Sequence, residues 1–204
     1  MLKIEHLTTG GWEAALRGMR NPLDSWAKAD TVYCTEGAPM IGPKDRELMR
    51  KLINGGPEHR KFLRMITVSM DITAPLYWWK QFDTYKVGTV RDSCSTMHTI
   101  HKDIIQRGDF STDGMSESGI VALDALIEVL NTSREGFIVA KDPKFWRDMI
   151  ALLPSCFNQK ATVMMNYEVM MTIARQRKGH KLTEWREFIN FMNRNLPYFE
   201  SMEV

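Results

Sequence analysis

The chain has 204 residues and a formal net charge of +2, so it is long enough for one sizeable core but short for two, and a single domain over residues 1–204 is expected. Its 27 Lys and Arg nearly balance its 25 Asp and Glu, which leaves no global field and no sustained basic stripe to argue for a nucleic-acid partner. Cys34, Cys94 and Cys156 are odd in number and far apart, which speaks against a disulfide framework or a metal knot. No stretch is apolar for long enough to cross a bilayer, so a reducing, cytoplasmic setting without a membrane partner is expected.

In chain order, residues 1–7 alternate loosely and predict a strand, ended by Thr8-Thr9-Gly10-Gly11. A short helix is expected over 12–19, and Asn21-Pro22 opens another through Ala29, since proline suits a first helical turn. After a turn at 37–42, residues 43–53 predict a helix with acids early and bases late, stopped by Asn54-Gly55-Gly56-Pro57. Ile66, Val68, Met70 and Ile72 alternate within 65–73, the mark of a half-buried strand. Pro75 then belongs to the first turn of an aromatic helix. The polar 108–118 tract predicts a loop, and 120–130 and 143–152 predict helices, the latter beginning near Asp142 and halted by Pro154. The longest helical candidate is 162–177, followed by a separate helix over 182–193. Few strands among several helices give an α+β class. No glycine-rich phosphate loop or dinucleotide fingerprint is present.

Two dense regions carry chemistry. On the aromatic helix, Tyr77, Lys80 and Gln81 are three and four apart and share a face. Trp78 and Phe82 form an adjacent face, and Trp79, Asp83 and Lys86 another, so Lys80 or Lys86 can meet an anion while rings stack. A helix anchored in the core with its lysines in water accounts for these residues as well. The exit sequence adds Ser93, Ser95, Thr96 and His98, whose hydroxyls and turn amides suit phosphate oxygens. Cys94 lacks a recognisable base and orienting partner for a nucleophile. The second region is Arg175-Gln176-Arg177-Lys178-Gly179-His180-Lys181, where arginine forks suit phosphate and where a solvated basic helix end is the plainer account. Arg175 and Arg177 are two apart and cannot point the same way. The histidines, His98 and His101 included, lack metal-binding spacing, so no metal is expected, and no catalytic side chain stands out.

The run from Asn21 to Thr31, a strand entering Ala74-Pro75 ahead of the aromatic helix, Leu153-Pro154 ahead of Asn166, and Arg177 together resemble the flavin-dependent thymidylate synthases, above all the divergent relatives carried by phages and mobile elements. The resemblance follows chain order across most of the sequence through loose motifs. Asp83-Thr84-Tyr85 stands where the family carries an Arg-His-Arg triplet for flavin. Ser95-Thr96-Met97-His98 keeps the serine of the substrate loop and loses its arginine, and Glu168 replaces the usual arginine two beyond Asn166. Glu58-His59 precedes the strand earlier than the family's Glu-His pair.

The resemblance implies an α+β fold with a small, mainly antiparallel sheet flanked by long helices. It implies FAD as cofactor, NADPH and methylenetetrahydrofolate as cosubstrates, methylation of dUMP to dTMP, and a homotetramer in the cytoplasm, that of the host if phage-encoded. Lys80, Gln81, Ser93, Ser95, Arg175 and Arg177 are then the expected nucleotide contacts. His59, Tyr77, Tyr85, Lys86, Asn166 and His180 are the expected flavin contacts, with Trp78 and Trp79 packed near the ring system. Two alternatives stay open: modification of another pyrimidine nucleotide, such as hydroxymethylation, and a non-catalytic nucleotide-binding or assembly protein with the same fold.

Overall fold

A computed structural model describes residues 2–35 and 37–202. Its four strands are β1 (Lys3–Gly10), β2 (Thr67–Pro75), β3 (Val90–Ser93) and β4 (Asn158–Asn166), arranged β1-β2-β4-β3 in one antiparallel sheet. The α-helices are α1 (Trp12–Gly18), α2 (Pro43–Asn54), α3 (Leu76–Phe82), α4 (Thr96–Thr99), α5 (Glu117–Ala140), α6 (Pro143–Leu152), α7 (Tyr167–Arg177) and α8 (Thr183–Asn195). The α+β class and the small antiparallel sheet agree with expectation. The chain forms two compact units, one of Met1–Lys3, Ile72–Thr84 and Asp92–Ala161, the other of Ile4–Asp71, Tyr85–Arg91 and Thr162–Val204.

The first unit is built on α5 and α6. Ser116 caps α5 by accepting the Gly119 amide, and Asp142 caps α6 by accepting the Lys144 amide ahead of Pro143, satisfying amides that have no helical partner. Gly136 is where α5 meets α6: a Cβ there would lie 3.0 Å from the Phe145 ring. Leu123, Leu130 and Met149 join Ile100, Ile105 and Phe110 in the core. A second apolar cluster is α3 itself, whose Trp78, Trp79 and Phe82 are buried with ring centroids 5.0 to 5.2 Å apart.

In the second unit the alternation predicted for β2 holds, with Ile66, Val68 and Met70 buried. The buried face of α7, from Tyr167 to Ala174, and Trp185, Phe188 and Met192 of α8 add to this core. Trp12 of α1 packs edge-on against Tyr167 and Tyr198.

Five expectations are corrected. Residues 162–166 belong to β4, not to a helix: Ala161, Val163 and Met165 are buried while Thr162 and Met164 face outward, a period of two that pairing with β2 and β3 makes decisive over methionine's helical preference. α5 runs past Leu130 to Ala140 because its polar residues are satisfied in place: Asn131 exchanges two hydrogen bonds with the Ile105 backbone and Thr132 bonds back to the Glu128 carbonyl. Residues 21–29 form two 3-10 turns, Asn21–Leu23 and Trp26–Lys28, split by Asp24 in the left-handed region at φ 48°, a conformation aspartate tolerates. β1 continues through Thr8 and Thr9, which are good strand formers or neutral there. Finally, Pro75 caps α3 from outside the helix, which ends at Phe82, so Lys86 does not share a helical face with Trp79.

Candidate functional site

In the first unit, α3 and the segment after β3 are tied to β4 and the residues leading into it. The Leu76 and Tyr77 amides donate to the Phe157 and Ser155 carbonyls (both 3.0 Å), which fixes the start of α3. Trp79 Nε1 donates to the Gln159 carbonyl at 2.9 Å, and the Gln159 side-chain amide donates to the Cys94 carbonyl at 2.8 Å. The Cys94 amide in turn donates to the Lys160 carbonyl at 2.9 Å, and Trp146 Nε1 to the Met97 carbonyl at 3.0 Å. The backbone from Cys94 to Met97 is thus held at three points. Its side chains are outside: Cys94, Ser95, Met97 and His98 are exposed, and Ser95, although it precedes α4, makes no capping bond with its hydroxyl. Ser93 is half-buried at the end of β3.

The aromatic reading of α3 divides. Trp78 and Trp79 are buried in the core and spend their faces on each other and on Phe82, so they do not pack against a bound ring. Tyr77 and Gln81 are half-buried and Lys80 is exposed. Cys94 Sγ lies 3.7 Å from Thr99 Oγ1, a hydroxyl and not a base, which gives no activation for a nucleophile. Among the described residues no group of three His, Cys, Asp or Glu side chains is placed to hold a metal.

In the second unit, the end of α7 gathers Tyr85, Gln176, Arg177 and His180 around Trp185. Arg177 Nε donates to the Tyr85 hydroxyl at 2.9 Å, and that hydroxyl donates to Gln176 Oε1 at 3.0 Å. The guanidinium lies over the Trp185 ring at 4.8 Å and over the Tyr85 ring at 5.6 Å, a stacked arrangement that favours a cation. His180 stands edge-on to Trp185, and its Nδ1 accepts the Leu182 amide at 3.1 Å, which marks the turn into α8. Burial and the Arg177 charge push this imidazole below its ordinary value, against Glu184, which raises it. Arg175 is exposed, so the two arginines part as their spacing requires.

Asn166 occupies the other end of α7, about 16 Å away along the helix, where its side chain caps α7 by accepting the Val169 amide at 3.0 Å. Beside it runs the loop that carries exposed Lys86 and Gly88. Gly88 has φ 79°, and a Cβ there would sit 2.8 Å from Asn166 Nδ2, so only glycine fits. Glu168, in the first turn of α7, accepts from Nε and Nη2 of Arg60 at 3.1 and 2.9 Å through one oxygen, while its buried Oε2 has no hydrogen-bond partner. His59, next to Arg60, is exposed with its ring against Gly55. The partners of Arg177 and Glu168 escaped the sequence reading because they lie 92 and 108 positions away, although the neighbouring Gly88 and the charge change at Glu168 were both visible.

No family model matches this chain, and no curated protein matches it in sequence. Solved structures do. The flavin-dependent thymidylate synthase ThyX of Helicobacter pylori, solved with FAD and dUMP, superposes with a TM-score of 0.69 over 99% of this chain and 97% of that one. The fold is that of flavin-dependent thymidylate synthase. A second structure of the H. pylori enzyme, also with FAD and dUMP, gives a TM-score of 0.70 over 100% of this chain and 99% of that one. Sequence identity is 14% in both, so the likeness is one of fold.

Proposed function

We propose that the protein is a flavin-dependent enzyme that methylates dUMP to dTMP, with methylenetetrahydrofolate as one-carbon donor and NADPH as reductant. The observation that carries this reading is end-to-end likeness to an enzyme solved with FAD and dUMP. In the first unit Ser93 and Ser95, on a backbone held from behind, would offer hydroxyls to the nucleotide, and Lys80 and Gln81 of α3 are further nucleotide contacts in this reading; in the second unit Arg175 and Arg177 are the residues suited to its phosphate or its uracil edge. No protein nucleophile is required of this set, because FAD, when bound, supplies the hydride chemistry.

In this reading FAD would lie near the start of α7. Gly88 packs so closely on Asn166 and Val169 that a Cβ would not fit, which holds its loop against the helix start, and exposed Lys86 on that loop brings a cation suited to a pyrophosphate. His59, Tyr77 and His180 are the remaining flavin contacts that the resemblance implies, although His180 lies beyond the opposite end of α7 from Asn166 and does not join it in one cluster. Tyr85 has a different role from the one first expected. Buried and bonded to both Gln176 and Arg177, it orients Arg177 and leaves the direct contacts to its neighbours. A homotetramer is the assembly that goes with this function. It draws support from α5, a 24-residue helix whose Val121, Val129 and Val139 are 68%, 48% and 85% exposed, apolar surface that a water-facing helix would not carry.

The test is chemical. Purified protein should show the visible absorption of oxidised flavin, or acquire it from added FAD, and should transfer a labelled carbon from methylenetetrahydrofolate to dUMP. A protein that stays flavin-free in excess FAD contradicts the reading. A second reading is modification of another pyrimidine nucleotide. Offering dUMP and dCMP side by side and weighing the products decides between them.

A further inference from the structure

The segment from Asn21 to Tyr33 is held with more effort than a surface loop needs. Arg20 and Asp45 form a buried ion pair, 4% and 1% exposed, with Arg20 Nε and Nη2 both 2.7 Å from Asp45 Oδ1. Arg20 also donates to the Ser25 and Lys28 carbonyls at 3.2 Å. The other Asp45 oxygen accepts the Asp30 and Thr31 amides and the Thr31 hydroxyl, and Asp30 caps α2 through the Lys44 and Asp45 amides. Every hydrogen-bonding site of this pair is spent on shaping residues 20–31.

What the network presents is aromatic. Trp26 is 50% exposed although its indole N–H is fixed on Asn21 Oδ1 at 2.9 Å, and Tyr33 is 47% exposed. Both rings, with Glu13, Leu16, Arg17 and Ala29, line a cavity of about 150 Å³. Burial first, then the charges of Asp45 and Glu13, raise the Tyr33 hydroxyl above its ordinary value, while Arg17 opposes them. A half-exposed tryptophan and a half-exposed tyrosine lining one cavity offer ring faces on which flat heterocycles stack. The cavity has room for a single ring system, and the Glu13 and Arg17 pair at 3.6 Å supplies both an acceptor and donors for the edge of such a ring.

We propose that the cavity lined by Trp26 and Tyr33 binds a planar heteroaromatic ring the size of a nucleobase. The site is independent of the flavin and dUMP contacts assigned above, since it uses none of those residues. Each nucleobase has a π-face, so the walls select for flatness while the Glu13 and Arg17 edge reads hydrogen bonds.

The experiment follows the Trp26 indole N–H resonance in ¹⁵N-labelled full-length protein, assigned with Trp26→Phe, as uridine, cytidine, adenosine and guanosine are added in turn. The expected result is a saturable shift with at least one of them, with affinity about tenfold weaker in Tyr33→Ala, the scale of a lost base–aromatic stack. Unchanged melting temperature in Tyr33→Ala separates lost stacking from lost folding. The proposal is overturned if the Trp26 resonance is insensitive to all four nucleosides at millimolar concentration, or if the shift survives Tyr33→Ala at full affinity. It is equally overturned if Trp26→Ala changes the sedimentation of the protein while the resonance of wild type ignores nucleosides, which would make the rings a contact between copies.

Discussion

From Cys94 to Met97 it is the backbone that is held, by the Lys160 carbonyl, the Gln159 amide and the Trp146 indole, while Ser95, Met97 and His98 stay exposed. At the end of α7 it is the side chain that is held: Arg177 is bonded through Nε to Tyr85 and stacked on Trp185. Both regions look polar and ligand-ready in sequence. A pinned backbone with outward side chains presents hydroxyls ready for a ligand, whereas a pinned guanidinium has one direction of approach left to it and gains precision at the expense of reach.

The sharpest way to break the first arrangement is from beneath. Trp79→Ala removes a buried indole from α3 and the hydrogen bond to Gln159 that sits under Cys94, and should cost about 3–5 kcal/mol in chemical denaturation. A cost below about 1 kcal/mol would mean that α3 does not support the loop. The second arrangement is probed by Tyr85→Phe. The ring stays but the hydroxyl that accepts from Arg177 and donates to Gln176 is gone, for an expected loss of about 1–3 kcal/mol and a raised KM for dUMP with kcat less affected. Equal stability to wild type would show that Arg177 does not depend on Tyr85.

Ser95→Ala should do the reverse of Trp79→Ala. An exposed hydroxyl that caps nothing can be lost within about 0.5 kcal/mol of wild-type stability, yet dUMP binding should weaken about tenfold, the scale of a lost hydrogen bond to a charged group. The smallest effect is a pH dependence at His180. Its pKa is depressed in the folded state, so the unfolded chain takes up the proton more readily, and the contribution to stability is complete above the unfolded value of about 6.5 and is lost as pH falls through the lower folded value. Between about pH 7.5 and pH 5, wild type should lose slightly more melting temperature than His180→Asn. An identical pH profile for the two would remove His180 from the account.

Much of the fold was legible because local chemistry and tertiary packing agree. Asp142 and Pro143 mark α6, Pro43 and Gly55 bound α2, and Ile66 to Ile72 alternate as a strand. The errors lie where local preference and packing diverge. Residues 162–166 run without a stop signal into α7, and pairing within the sheet overrides the helical preference of Met164 and Met165. Asn131 and Thr132 imitate a helix stop until their side chains find Ile105 and Glu128. The candidate site was legible as composition but not as contact. Basic residues near Arg177 were plain, while the Tyr85 that orients it and the Arg60 that neutralises Glu168 come from remote parts of the chain that no periodicity connects. The buried pair Arg20 and Asp45, which shapes residues 20–31, left no sign beyond two ordinary charges.

The most direct measurement is an equilibrium titration of flavin-loaded protein with dUMP, followed through the flavin spectrum, in wild type and in Ser95→Ala. The account expects a saturable spectral change in wild type and the same change at about tenfold higher dUMP in the variant. A flavin spectrum indifferent to dUMP, or a variant that titrates like wild type, would contradict it.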